Sequence, residues 1–113
     1  MTTSQKSNWE KKRTAESRMV EDKLREAGFE KVDAYRYNSA SLRVRVIDKR
    51  FESVSREDRD RLVEPIIDTL PSDTQSDIVN LVLLAPSELE QPSDSFRENM
   101  LNTEFENPSP SML

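Results

Sequence analysis

The chain predicts an α+β domain with element order α-β-β-α-α-β-α, in which a three-stranded mixed sheet carries helices packed on one face. Three observations predict it. Apolar residues recur at helical spacing up to the only glycine, Gly28. Two alternating segments then flank a short polar gap. A near-continuous apolar run from Ile78 to Leu84 follows a second region of helical periodicity.

Residues 1–14 hold Thr, Ser, Gln, Lys and a Trp9 without a periodic apolar partner, the pattern of a flexible N-terminal arm. The domain proper is expected over residues 15–90. Met19, Val20, Leu24 and Ala27 mark one face of its first helix. Gly28 stands where a left-handed cap is wanted, and Phe29 is placed to touch Leu24 in a Schellman closure. From Val32 to Tyr37 the chain alternates, Asn38 to Ser41 supplies a turn, and Leu42, Val44 and Val46 then alternate with Arg43 and Arg45. Period two sends Leu42, Val44 and Val46 to one face of this hairpin and Arg43, Arg45 and Ile47 to the other. One side is expected to meet helices, and the other water or a partner.

Ser55 is suited to cap a helix, with Glu57 and Asp58 in the first turn complementing the amide end. Leu62, Val63, Ile66, Ile67 and Leu70 continue as a stripe. Pro65 interrupts it by removing an amide and crowding the Arg61 carbonyl, which predicts a kink or a second helix starting near Pro65 and ending before Pro71. After the turn Pro71-Ser72-Asp73, Ile78 to Leu84 reads as a strand covered on both faces and paired parallel across a helical crossover. Pro86 opens a short helix. Residues 91–113 form an acidic C-terminal tail with a short helix over 94–105, where Phe96, Met100, Leu101 and Phe105 line one side. Disorder is expected from Asn107 onward.

Composition excludes several function classes. The chain has no His and no Cys and carries a net charge of −5. It therefore lacks a disulfide framework, a thiol nucleophile and an imidazole base, which together with the missing glycine-rich phosphate loop predicts that it is not an enzyme. Asp58 and Asp60 do not make a metal pair, because residues two apart on a helix face different directions. Residues 1–61 are net +4 and residues 62–113 net −9, a split that weakens general affinity for nucleic acid. The longest apolar run, Leu81 to Ala85, is far short of about 20 residues, so a soluble, cytoplasmic protein is expected.

The stretch from Ser41 to Glu88 resembles the BolA-like family. That family writes an apolar strand, Phe-Glu-Gly, a Ser opening a helix that carries Arg-His-Arg, a second strand led by His, and Thr-Pro followed by an acid. Phe51, Glu52, Ser55, Arg59, Arg61, Val63, Leu70, Leu81, Pro86 and Glu88 fall in step with it. The resemblance spans roughly residues 18–90 and implies the BolA-like, class II KH-like fold. It also implies a glutaredoxin-like partner sharing a [2Fe–2S] cluster through a His near the third strand and a His or Cys in the first hairpin loop. Here Asp60 and Asp77 replace the two histidines, Ser53 replaces the glycine, Leu89 lies near the usual Trp site, and the hairpin loop has no thiolate or imidazole. No cluster and no other cofactor is therefore expected.

Two groups of residues remain as candidate sites. Tyr35, Tyr37, Arg43 and Arg45 on the second sheet face are suited to a protein partner, since Tyr and Arg are enriched at hot spots. Arg56, Arg59 and Arg61 near the helical pair are suited to phosphate, as the family's helix-turn-helix likeness implies, although Glu57, Asp58 and Asp60 interleave with them. KH-type RNA binding lacks its Gly-x-x-Gly clamp. The leading expectation is a non-catalytic BolA-like adaptor or regulator acting through protein contacts. A nucleic-acid-binding transcriptional regulator is the alternative, and a homodimer stays open.

Overall fold

The computed structural model describes residues 9–90 and 96–111. Thr14 opens helix α1 (Ala15–Glu26) with a reciprocal cap, in which its hydroxyl accepts from the Ser17 N–H and the Ser17 hydroxyl accepts from the Thr14 N–H. The helix stops as its sequence predicts. Gly28 takes φ +98°, its N–H donates to the Arg25 carbonyl, and the Phe29 N–H donates to the Leu24 carbonyl, a complete Schellman closure.

Strands β1 (Lys31–Asn38) and β2 (Ser41–Ile47) pair antiparallel through a turn at Ser39 and Ala40. Strand β3 (Ile78–Leu84) lies parallel to β2, giving the order β1-β2-β3 with β2 central. Asp48 pins the exit of β2. Burial opposes its charge, but the N–H groups of Arg50 and Glu30 and the Arg50 guanidinium outweigh that and hold its carboxyl below the usual range.

A 3₁₀ turn, Lys49–Phe51, leads to Ser53 at φ 59° and then to helix α2 (Arg56–Ile67), capped by the Ser55 hydroxyl on the Asp58 N–H. Left-handed backbone costs an L-residue about 1–2 kcal/mol, part of which glycine offsets by its freedom when unfolded. Ser53→Gly is therefore expected to raise stability by about 0.5–1 kcal/mol in urea denaturation. An unchanged midpoint would mean that the strain at Ser53 is no larger than the entropic cost of a glycine there.

Pro65 does not start a new helix. It lies inside the last turn of α2, where the only amide bond it forfeits is the one to the Arg61 carbonyl, and α2 runs on to Ile67. The second helix of the pair is instead α3 (Ser72–Asp77), which follows Pro71 directly. Strand β3 covers the predicted run, and Pro86 opens α4 (Pro86–Glu90) as expected. Helix α5 (Phe96–Glu106) ends one residue beyond the expected 94–105, whose first two positions lie outside the described residues.

Val20 and Leu24 of α1, Val63 of α2, and Ala34, Val44 and Val46 of the sheet form the main core. The second sheet face is not open. Helix α5 covers it, so helices lie on both faces, and Tyr35 packs there with Phe105 and Trp9. Trp9 is 6% exposed, which removes residues 9–14 from the expected flexible arm; residues 1–8 of that arm lie outside the described residues. Residues 107–111 are likewise tied down, because Glu104 holds Ser109 and the Asn38 amide donates to the Ser111 hydroxyl. Among the described residues no helix is long and apolar enough to cross a membrane.

Candidate functional site

The second sheet face is built around two arginines of the central strand. Antiparallel register sets Arg45 opposite Asp33 and Arg43 opposite Tyr35. Arg45 Nη2 donates to Asp33 Oδ2 at 2.7 Å, while Nη1 donates to Asn102 Oδ1 at 2.7 Å and Glu106 Oε2 at 2.8 Å. Arg43 Nη1 reaches both the carbonyl and the carboxylate of Glu104, at 3.1 and 2.9 Å. Arg13 completes the group by bonding Glu21 at 2.9 Å and Asp33 at 3.2 Å, and Glu21 also accepts from the Ala34 N–H.

Aromatic rings pack between these charges. The Trp9, Tyr35 and Phe105 rings lie 4.9 to 5.8 Å apart, and the Arg45 guanidinium sits 4.6 Å from the Phe105 centroid. Arg43 lies 3.7 Å over the Tyr37 ring. Burial pushes the Tyr35 hydroxyl pKa up, against the Arg43 hydrogen bond, and that hydroxyl donates to the Phe105 carbonyl. Burial disfavours the Arg43 cation, yet its bonds to Glu104 and Tyr35 more than compensate and leave it more firmly protonated than free arginine.

Of the four residues expected to face a partner, Tyr35, Arg43 and Arg45 are therefore buried, and Tyr37 is half-buried. Alternation along β2 assigns the arginines correctly to the second face but carries no information about what covers it. Asp33, Glu21, Arg13, Glu104 and Glu106 were not singled out from the sequence. The one usable signal was two carboxylates flanking Phe105 on a helix with few basic residues. At the edge of this cluster an open cleft of about 490 Å³ is lined by Trp9, Arg13, Asp33, Arg45 and Glu106 among others, with both signs of charge on its walls.

Arg56, Arg59 and Arg61 do not form one surface. Arg59 is 8% exposed and clamped, with Nε on the Val54 carbonyl, Nη1 on the Leu83 carbonyl and both Nη atoms on the Glu88 carboxylate at 2.7 and 3.2 Å. Arg56 and Arg61 are exposed, and each pairs with a carboxylate at 2.9 Å, Glu98 and Asp58 respectively. The residues around them also serve structure. The Ser87 hydroxyl and N–H donate to Glu52, which lowers that carboxyl's pKa, and Glu88 accepts from the Ala85 N–H at the start of α4. Asp77 bonds Arg36 at 3.0 Å. Among the described residues no group of three or more Asp and Glu side chains is placed to hold a metal ion.

Glu104 gives the α5 contact a pH dependence. The Ser109 N–H outweighs partial burial and, with the Ser109 hydroxyl and Arg43, holds the carboxyl below its ordinary 4.5. A carboxylate whose docked pKa is depressed stabilises docking fully above about pH 4.5, and loses that contribution as pH falls through the docked value. The single tryptophan, Trp9, lies 5.2 Å from Phe105 and reports on this contact. Its emission is expected to shift to the red as pH falls below about 4.5, before far-ultraviolet ellipticity is lost, and Glu104→Gln should remove that early phase. Coincident transitions in both signals would show that α5 does not respond separately.

No family model, no curated protein and no solved structure matches this chain.

Proposed function

We propose that this chain is a non-catalytic BolA-like adaptor that acts through protein contacts and ligates no iron–sulfur cluster. One observation carries it: most of the residues in step with the BolA-like pattern hold the scaffold together, while the donors that a cluster needs are missing from the sequence. Phe51 is buried and stacks on Phe29, Arg59 clasps Glu88, Glu52 holds Ser87, and Ser55 caps α2. Ser53 supports the same view, because it adopts the positive φ for which the family pattern uses glycine. Asp77, in place of a histidine, is engaged by Arg36. A chain that keeps such a framework without imidazole or thiolate has recognition left as its work.

Nucleic-acid regulation is less well supported. Only Arg56 and Arg61 of the proposed phosphate-binding set are exposed, and their carboxylate partners reduce the local positive potential. Affinity capture with the full chain from a nuclease-treated native lysate, under reducing conditions, tests the adaptor. A specific stoichiometric protein partner, glutaredoxin-like or not, is the expected result. Tight, steeply salt-dependent nucleic-acid binding with no specific protein recovered would reject it.

A further inference from the structure

The geometry points to α5 as a displaceable cover, and to an acidic helix of a partner protein, bearing an aromatic side chain between carboxylates, as what the sheet face beneath it receives in exchange. This inference rests on the adaptor function proposed above and names the surface and the chemistry of the partner. Charge complementarity selects the occupant. The face presents Arg43 and Arg45 around the Trp9 and Tyr35 rings, and α5 answers with Glu104 and Glu106 on either side of Phe105. A partner helix with the same three groups fits the same footprint.

Two features make α5 replaceable. Its apolar hold on the sheet consists of Phe105, which is buried, and Leu101, which is partly buried, while Phe96 and Met100 point outward at 69% and 56% exposure. Its ionic hold is incomplete, because Arg43 Nε and Arg45 Nε are buried without a hydrogen-bond partner, so a better-matched helix has donors left to satisfy. The face that α5 covers is rich in Trp, Tyr and Arg, the side chains that concentrate binding energy at interfaces.

The test uses the full-length chain and a labelled peptide of residues 96–111 as stand-in for the partner helix. Phe105→Ala, and separately Glu104→Gln with Glu106→Gln, weaken the chain's own α5. Each variant is expected to bind the peptide saturably, and the wild-type chain at least about tenfold more weakly, because its face is free for only a small fraction of the time. A peptide with Lys at positions 98, 104 and 106 should not bind. Hydrogen exchange of the α5 amides shows independently whether α5 has detached, because a helix of 11 residues does not hold its own amides once free. Either a variant whose α5 stays docked, or a detached one that ignores the peptide, overturns the inference. Tighter binding of a single-stranded oligonucleotide than of the peptide, or a wild-type dimer formed by exchange of α5, assigns the face to another occupant and overturns it as well. The lysate capture is read separately, so a specific partner recovered alongside a failed peptide test leaves the adaptor standing and rejects only this surface.

Discussion

Arg45→Ala is expected to lower the free energy of unfolding by about 3 kcal/mol, the lower end of the cost of removing one partner of a buried charge pair. The side chain is 2% exposed at the middle of the central strand, and Asp33 stands directly across from it with a side chain only 11% exposed. Truncation leaves Asp33 with Arg13 alone, at 3.2 Å, and also removes the bonds to Asn102 and Glu106 that fasten α5. Lost packing adds to the charge effect, because the guanidinium lies against both Phe105 and Trp9. Arg45→Met combined with Asp33→Asn should recover much of the loss, since an apolar side chain beside a neutral amide strands no charge. Urea denaturation of the two single variants and the double variant measures the coupling. A single-variant loss below about 1 kcal/mol, the scale of a solvated pair, would show that the network contributes as a surface pair does.

Much of the fold was legible because its signals are local. Gly28 and Phe29 specify a helix stop within a few residues, Ser55 specifies a helix start, and the run Ile78 to Leu84 marks a strand by composition alone. Pro65 misleads for a related reason. A proline reads as a breaker wherever it falls, whereas its actual cost depends on how many turns follow it, and in α2 hardly any do. The candidate site was half legible. Period two separates Arg43 and Arg45 from the core valines, but only the tertiary fold brings Trp9 and Phe105, from opposite ends of the chain, onto the same rings. A lone tryptophan in a polar segment therefore resembles a mobile arm until its partner is known.

The uneven charge along the sequence takes on a structural meaning in the same way. The N-terminal portion is net positive and the C-terminal portion strongly negative. In the folded chain, Glu98, Glu104 and Glu106 of α5 are brought to Arg56, Arg43 and Arg45. Attraction between the two portions is thus spent largely within the molecule, which is why an arginine-bearing sheet face need not imply a nucleic-acid surface.

Arg59→Ala is expected to cost about 3 kcal/mol, because it removes one partner of a buried charge pair and leaves two main-chain carbonyls without their donor. The guanidinium joins three parts of the chain: the Val54 carbonyl before α2, the Leu83 carbonyl on β3, and the Glu88 carboxylate on α4. Lysine should rescue poorly, since a single ammonium cannot present donors in the fixed fork that reaches all three. Arg61→Ala provides the contrast. Its pair with Asp58 is exposed on both sides, so the change is expected to stay within about 0.5 kcal/mol. A double-mutant cycle with Glu88→Gln should give a coupling of about 1.5–3 kcal/mol, checked by urea denaturation of all four chains. If Arg59 instead served a phosphate ligand, Arg59→Ala would leave stability nearly unchanged while abolishing salt-dependent nucleic-acid binding, the reverse of what a side chain enclosed by Val54, Leu83 and Glu88 should do.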